Sequence, residues 1–479
     1  MDYLISHPYL QAALSHLLTV AGFILAIFLI ARLMSEKRQP GNTFAWLLGI
    51  VLIPYIGVPL YLLFGGRKLR RLMTLKTRMA PTLPGVNPPL GDCVERHIAR
   101  AVRNAGGSVP LGQNELKLLT NGEDAYQALA AGIENARHHI HITTFILGRE
   151  DTGKRIVQLL AKRAREGVKV RLLLDSVGSM FIRRGFVAPI LKAGGEVEWF
   201  MPVLPLTSRS SANLRSHRKI AIFDHNTAIV GGHNLAREYM GPKRWHKRWA
   251  DFGGVIRGPA AALLNDVFIA DWCFASNQSV NAIRAEIPTD IGMEHKGTAE
   301  LQVIASGPDV NGDPLYEGLV AMIQSAAKRI VIITPYFIPD EVLQRSLIVK
   351  ARSGIDITLL VPAKSNHPVT DFARKHYLRE LREAGVTIKL HGPGMMHSKA
   401  TIIDDTVALF GSANLDLRSL FVNFEIGVLV HSTAEVAAIS NWAEALLNKA
   451  REAKPAQRKR FHLAHSLLED LSRLLAPLL

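Results

Sequence analysis

The sequence contains two copies of a pattern that places a histidine and a lysine two positions apart, with an aspartate five residues later. Both copies follow H-x-K-x4-D-x6-G-[GS]-x-N without a gap. Their members are His217, Lys219, Asp224, Gly231, Gly232 and Asn234 in the first copy, and His397, Lys399, Asp404, Gly411, Ser412 and Asn414 in the second. A single H-x-K-x4-D arises by chance in a basic chain, whereas two copies with the same downstream residues are a strong signal. The pair predicts one site built from two similar parts.

Each copy has the composition of a β-hairpin. An apolar run after the lysine ends at Asp224 or Asp404, and a short polar turn leads into a second apolar run that ends in glycine. Residues i and i+2 of a strand share a face, so each histidine and lysine should point at the same ligand. Both aspartates belong to the candidate catalytic signature by position. Because a strand-end aspartate commonly caps its own turn, we interpret them as residues that fix the hairpin.

Two histidines flanked by lysines suit reactions at a phosphodiester. A neutral imidazole is a suitable nucleophile because the negative charge of the diester repels anions, and its attack gives a covalent phosphohistidine. The departing alkoxide needs a proton, which a second, protonated histidine can supply. Only histidine has an unperturbed pKa that allows both charge states near neutrality. Lysine and asparagine would bind the phosphoryl oxygens as charge develops on them.

The elements around the two motifs are also duplicated. ELKLLTNGED at 115–124 corresponds to ELQVIASGPD at 300–309, and GVKVRLLLD at 167–175 corresponds to GIDITLLVP at 354–362. Helical stretches alternate with these strand-like runs, which predicts two α/β units. An offset of ~185 residues is too long for a solenoid repeat, so we expect two fused domains. We place them at residues 114–290 and 291–450.

The composition fits a protein with a large folded body that meets phosphate. The chain has 479 residues, 48% of them hydrophobic, and a formal net charge of +16. A strongly basic protein commonly binds nucleic acid, anionic lipid headgroups or a phosphorylated substrate, and charge alone does not choose among them. The two cysteines, Cys93 and Cys273, form no metal-type or redox-type pair.

The N-terminal region has the composition of a membrane anchor. Residues 17–31 are uncharged, and residues 44–64 form a second uncharged run long enough to span a bilayer, although prolines and glycine interrupt it. We assign residues 1–66 to a membrane hairpin and 67–113 to a basic linker with a short helix near Val94 to Val102. The heavier basic flank follows the second run, which favours a cytoplasmic body by the positive-inside rule. Whether the second run spans or re-enters stays open.

Two further stretches combine basic and apolar residues. Residues 245–249 (WHKRW) could lie at a membrane interface or form an ordinary surface loop. The C-terminal tail, residues 451–479, is basic and then amphipathic. It fits a helix in the plane of a membrane, or one docked on the body or on another subunit.

The paired motifs resemble the HKD signature of the phospholipase D superfamily, and the resemblance covers nearly the whole chain. Within it, AWLL…IPYIGVPLYLLFG at 45–65 and GSANLDLRSLFVNFEI at 411–426 are similar to bacterial cardiolipin synthases. The resemblance implies two duplicated α/β sandwich domains behind a hairpin of two hydrophobic helices. It also implies condensation of two phosphatidylglycerols into cardiolipin and glycerol through a phosphohistidine, with no metal and no cofactor, in a bacterial cell membrane.

Site roles follow from the same resemblance. It implies that His217 is the nucleophile and His397 the general acid and base, although the near-symmetry leaves the reverse order open. Lys219, Lys399, Asn234 and Asn414 match positions that contact the phosphate. Glu425 matches the carboxylate that orients the second-half histidine, and Asp251 is our candidate for the same role in the first half.

Other functions share these motifs. A hydrolytic phospholipase D and another phosphatidyltransferase, such as a phosphatidylserine synthase, differ only in the second alcohol, which the motifs do not encode. A nuclease has no use for two apolar N-terminal segments, and a non-catalytic lipid-binding scaffold does not explain two complete motifs. The expected partners are therefore phosphatidylglycerol and an anionic membrane, not nucleic acid. A homo-oligomer stays an open alternative.

Overall fold

The structure is a computed structural model that describes residues 8–34, 40–61, 94–203, 213–287, 297–310 and 312–453. The chain divides into two compact units. One comprises Met1–Arg71 with Ser211–Asn213, and the other comprises Leu72–Ser210 with Leu214–Leu479. Both motifs belong to the second, larger unit.

The described residues of the N-terminal unit form the helices α1 (Pro8–Met34), α2 (Pro40–Leu52) and α3 (Pro54–Leu60). The second hydrophobic run is thus not one continuous helix. It breaks at Ile53 because Pro54 has no backbone N–H to donate and fits best at the start of a helix. Many apolar side chains of this unit face outward, and Phe23 and Leu52 are 70% and 71% exposed. Among its described residues, none of the helices meets the length and hydropathy required of a bilayer-crossing helix.

The larger unit is mixed α/β. Its strands are β1 (Leu111–Leu119), β2 (His139–Thr144), β3 (Lys169–Asp175), β4 (Glu196–Phe200), β5 (Ile220–Phe223), β6 (Thr227–Gly231), β7 (Gly253–Arg257), β8 (Ala299–Ser306), β9 (Arg329–Ile333), β10 (Phe337–Ile338), β11 (Asp356–Pro362), β12 (Thr387–His391), β13 (Ala400–Ile403), β14 (Val407–Gly411), β15 (Leu415–Asp416), β16 (Glu425–Val430) and β17 (Arg451–Glu452). Its helices are α4 (Val94–Asn104), α5 (Gly122–Asn135), α6 (Asp151–Arg165), α7 (Arg184–Lys192), α8 (Pro259–Ser276), α9 (Val280–Ala285), α10 (Pro314–Ser325), α11 (Glu341–Arg352), α12 (Pro368–Glu383), α13 (Leu417–Phe421) and α14 (Thr433–Leu447).

In the part of the chain that the structure describes, fifteen strands form one sheet in the order β17-β12-β11-β9-β13-β14-β16-β8-β1-β7-β6-β5-β2-β3-β4. From the central pair outward, β1-β7-β6-β5-β2-β3-β4 has the same arrangement as β8-β16-β14-β13-β9-β11-β12. The antiparallel contact of β1 with β8, at Asn114 and Ala299, joins the two series. The duplication seen in the sequence is therefore repeated in the strand order, with each motif hairpin at the same place in its half.

Helices bury both faces of this sheet. Strands such as β9 and β16 are rich in isoleucine and valine and almost wholly buried, as strands covered on two faces are. The predicted helix near residue 94 is α4, which is not part of an extended linker. Its Ile98 and Val102 join the core of the second half, and Gln302 Nε2 donates to Ala99 O at 3.0 Å.

The predicted boundary between residues 290 and 291 lies outside the described residues, and both halves fall in one compact unit. The division into two domains stays a prediction. The described part of the C-terminal tail ends at Ala453, so its predicted amphipathic helix also lies outside the described residues.

Candidate active site

The two motif hairpins form as the sequence predicts. Strand β5 pairs with β6, and β13 pairs with β14. Asp224 and Asp404 occupy the turns with φ of 49° and 52°. The carboxylate of Asp224 accepts three backbone N–H groups, from Arg137, His138 and His139, at 2.7 to 3.0 Å.

The second hairpin repeats this arrangement. The carboxylate of Asp404 accepts the N–H groups of Ala327, Lys328 and Arg329 at 2.6 to 2.8 Å. The interpretation of both aspartates as hairpin-fixing residues agrees with this geometry. Strand β5 or β13 separates each carboxylate from its histidine. A catalytic role for either aspartate therefore rests on the sequence pattern alone.

Short backbone bridges hold the two motifs together. The N–H of His217 donates to Phe424 O at 2.8 Å, and the N–H of Phe424 donates to Arg215 O at 2.9 Å. On the other side, the N–H of His397 donates to Ala250 O at 2.7 Å. Each motif therefore begins beside the segment that enters β7 or β16 of the opposite half.

As a result of these backbone contacts, each histidine is paired with a carboxylate of the opposite half. His217 donates through Nδ1 to Glu425, with both carboxylate oxygens 3.0 Å away. His397 donates through Nδ1 to Asp251 Oδ2 at 2.8 Å. The sequence-based pairing of Glu425 with the second-half histidine, and of Asp251 with the first, is wrong. Both carboxylates are at the site, but each reaches across to the other half because the segments that carry them pair there.

One motif position is glycine in the first copy and serine in the second. At this position the size of the residue fits the carboxylate that lies beside it. The hydroxyl of Ser412 donates to Glu425 Oε2. At the equivalent Gly232, a Cβ would lie 2.0 Å from Asp251 Oδ1. The shorter aspartate approaches the backbone so closely that only glycine fits, whereas the glutamate leaves room for a hydroxyl that holds it.

The two motif lysines are buried beside the histidines, each 4% exposed. Lys219 Nζ donates to His217 O at 2.7 Å, and Lys399 Nζ lies 3.0 Å from His397 Nε2. Burial lowers the pKa of Lys219 to about 7 and that of Lys399 to about 8, although Asp251 and Glu425 counteract it. A bound anion between them would restore their charge.

The histidines and their carboxylates differ in charge environment. Burial lowers the pKa of His217, and it lowers that of His397 well below the usual value with the help of Lys399 and Lys219. Burial alone would raise the pKa of Glu425, but His217, Lys219 and Ser412 together bring it below the usual value. Burial raises the pKa of Asp251.

Aromatic rings surround the histidines, and none of them belongs to the two motifs. The ring of Phe145 meets His217 edge to face at 5.2 Å between centroids. Tyr239 does the same to His397 at 5.0 Å, and Trp249 lies 5.8 Å from that histidine. One end of the aromatic and basic stretch 245–249 thus borders the candidate site. Its repeated tryptophans were the available signal.

The two asparagines have unequal surroundings. Asn234 Oδ1 accepts the N–H of Ile146 at 3.2 Å. Asn414 hydrogen-bonds Asp416, while its Oδ1 is buried without a partner. Both are almost wholly buried. Their role in binding phosphate stays a prediction.

Arg218 lies inside the first motif and has a structural role that the motif pattern does not indicate. Its guanidinium contacts Asp271 at 2.7 and 2.8 Å, and its Nε donates to the backbone oxygen of Glu425 at 3.1 Å. This buried ion pair helps to fix the carboxylate-bearing strand of the second half against the motif of the first. Its signal was a charged residue between the histidine and the lysine.

Among the described residues, no cluster of three or more histidine, cysteine or acidic side chains could hold a metal ion. The expectation of chemistry without a metal stays a prediction.

Two family patterns match the chain. Residues 129–272 and 319–447 match the model described as "Cardiolipin synthase, PLD-like domain", and residues 23–66 match "Phospholipase_D-nuclease N-terminal". A cardiolipin synthase 1 from Bacillus cereus is 33% identical over 482 residues, which cover 96% of this chain and 92% of that protein. A cardiolipin synthase from Alkalihalophilus pseudofirmus is 32% identical and covers 99% and 96%.

A solved phosphatidylserine synthase from Haemophilus influenzae has the same fold. It superposes with a TM-score of 0.60 at 16% identity and covers 80% of this chain and 100% of its own. The fold and the paired motifs define a phosphatidyltransferase-type enzyme of the phospholipase D class. Within that class, the chain belongs to the cardiolipin synthase family.

Proposed function

We propose that this member of the family transfers a phosphatidyl group from one phosphatidylglycerol to another, releasing glycerol, through a phosphohistidine on His217. The observation that carries the proposal is the pair of buried histidines, each held through Nδ1 by a carboxylate of the opposite half. The carboxylates hold Nδ1, so Nε2 is the nitrogen that can meet the substrate, and Lys399 Nζ lies 3.0 Å from this atom in His397. Two such imidazoles supply one nucleophile and one acid.

In the first step, His217 Nε2 attacks the phosphorus of the first phosphatidylglycerol. The bond from phosphorus to the glycerol oxygen breaks, and His397 gives that oxygen its proton. In the second step, the now neutral His397 takes the proton from a headgroup hydroxyl of a second phosphatidylglycerol. The resulting oxygen attacks phosphorus, the phosphorus–nitrogen bond breaks, and cardiolipin leaves with His217 restored.

The charges around the site support this order. Phosphorylation makes the imidazole of His217 cationic, and Glu425, whose pKa is lowered, is an anionic neighbour for it. His397 must be protonated to act as an acid, yet burial and two lysines lower its pKa. The negative charge of the phosphodiester counteracts those lysines, so substrate binding itself would charge the acid. The lysines and asparagines then stabilise the charge that develops on the phosphoryl oxygens.

The enzyme is also proposed to work in a bacterial cell membrane, with a multi-pass anchor and a cytoplasmic body. The outward-facing apolar side chains of the N-terminal unit support contact with lipid. A phosphohistidine exposed to bulk water would hydrolyse, so a site near the bilayer surface would favour a lipid acceptor.

The function is tested by giving the purified protein phosphatidylglycerol alone and identifying the products by mass spectrometry. We expect cardiolipin and glycerol in equal amounts. Phosphatidic acid as the main product would instead make water the acceptor and the protein a hydrolase. The matched variant His217→Asn should form neither product.

A further inference from the structure

The second half contains a polar cavity of about 270 Å³ that opens beside its motif. Its lining includes Tyr336, Asn414, Asp416, Arg418, Ser419 and Asn423. Most of these carry a group that can donate or accept a hydrogen bond, and Asn414 belongs to the motif itself. The volume is at the small end of ligand pockets, which suits a headgroup and not an acyl chain.

Three polar atoms of this lining are buried without a partner: Asn414 Oδ1, Ser419 Oγ and Asn423 Oδ1. Ser419 is 1% exposed and Asn414 is 6% exposed. Buried polar atoms are nearly always hydrogen-bonded, so a cluster of unpaired ones around a cavity indicates a place for a polar ligand. Three such atoms match a molecule with several hydroxyl groups.

The first half, built on the same pattern, differs at this place. There Asn234 Oδ1 accepts the N–H of Ile146, so the equivalent amide oxygen is satisfied. The first half has Ala236 and Glu238 where the second half has Asp416 and Arg418. The cavity's cation therefore belongs to the second half alone.

The carboxylate of Asp416, the acidic residue of the cavity, is already hydrogen-bonded within the protein. Asp416 begins helix α13, where its Oδ1 accepts the N–H of Ser419 at 2.8 Å, and it also hydrogen-bonds Asn414. The backbone N–H of Asn423 donates to Arg418 O at 2.8 Å, which fixes these two residues relative to each other. Arg418 is half-buried at the cavity wall. A guanidinium there is suited to a phosphate.

We propose that this cavity holds the headgroup of the acceptor lipid, with the unpaired oxygens on its glycerol hydroxyls and Arg418 on its phosphate. The inference rests on the proposed function. In a double displacement at one phosphorus, leaving and attacking oxygens both lie opposite the nucleophile. They therefore lie on the side of His397, which belongs to the same half as the cavity. Water needs no such subsite, so the cavity favours transfer over hydrolysis.

The test compares an acceptor with a phosphate and one without. Phosphatidylglycerol vesicles give cardiolipin, whereas labelled glycerol added to phosphatidylglycerol gives labelled phosphatidylglycerol by exchange. Arg418→Gln should lower cardiolipin formation at least ~10-fold, as loss of a charge-assisted contact does, while glycerol exchange stays within about twofold. Asn423→Ala should weaken both acceptors. Arg352→Gln, at the exposed end of α11, is the matched control and should change neither rate.

Equal loss of both rates in Arg418→Gln, with an unchanged melting temperature, would show a general role at the site and overturn the proposal. Unchanged cardiolipin formation would overturn it as well. A wild-type protein that exchanges glycerol but makes no cardiolipin would contradict the proposed function. In that case the effect of Asn423→Ala on exchange still tests the hydroxyl contacts of the cavity.

Discussion

Asp251 and Glu425 occupy equivalent positions, two residues before the glycines that pair with the ends of β6 and β14. D-F-G and E-I-G can be aligned by eye, so the sequence identifies both residues. The sequence does not say which histidine each one contacts. That choice depends on how two separately folded hairpins meet, and no local pattern encodes it.

The crossed pairing predicts that Asp251→Asn and Glu425→Gln respond differently to a substrate whose leaving group needs no proton. A nitrophenyl ester of phosphatidic acid has a leaving group that needs no proton, so it bypasses the general acid. With phosphatidylglycerol, both variants should lose on the order of 100-fold or more in rate. In the single-turnover burst of nitrophenolate, Asp251→Asn should recover to within about tenfold of wild type. Glu425→Gln should stay slow, because the nucleophile is still affected. Recovery by Glu425→Gln in place of Asp251→Asn would reverse the roles of the two histidines.

At the scale of elements, the sequence identifies the motif hairpins and the alternation of strands and helices, but burial is less predictable. HIHITT, the sequence of β2, alternates as a half-exposed strand would, yet all six residues are buried. Helix α8 covers this strand: His141 stacks on Phe268 at 4.6 Å and its Nδ1 lies 2.8 Å from Asn265 Oδ1. Both ring nitrogens of His139 are buried without a partner.

Because His139 is buried, the free energy of unfolding should fall in mild acid. Burial lowers its pKa to about 4, although Asp224 opposes the shift, so the folded protein keeps it neutral where the unfolded chain, near 6.5, takes up a proton. Between these values the unfolded state binds more protons, and stability therefore falls as pH decreases from 6.5 toward 4. The contribution of this residue is on the order of 3 kcal/mol. Melting temperatures measured from pH 7.5 to 4.5 should decline less steeply in His139→Phe than in wild type. Parallel curves for the two proteins would remove His139 as the cause.

At the scale of the whole molecule, the N-terminal unit and the body are separate compact units, and the core clusters of the body are its own. Deleting residues 1–71 should therefore leave the main melting transition within a few degrees of the wild-type value. The truncated protein should still bind anionic vesicles through its basic residues, and high salt should release it, whereas the full chain should stay bound. An unfolded truncation product would show that the anchor is integral to the body. Vesicle flotation with and without salt measures how both proteins bind to the membrane.

The site as a whole depends on both halves of one chain, because each histidine is oriented by a carboxylate from the other half. The same sheet joins the halves through β1 and β8, and Arg218 ties the first motif to the second-half strand. Full-length His217→Ala and His397→Ala proteins should each be inactive, and mixing them should restore no cardiolipin formation, because neither chain can assemble one intact pair. The wild-type protein mixed with either variant should keep activity in proportion to its own amount. Recovery in the mixture of the two variants would mean that halves exchange between chains, and the site would then be one that a homo-oligomer shares.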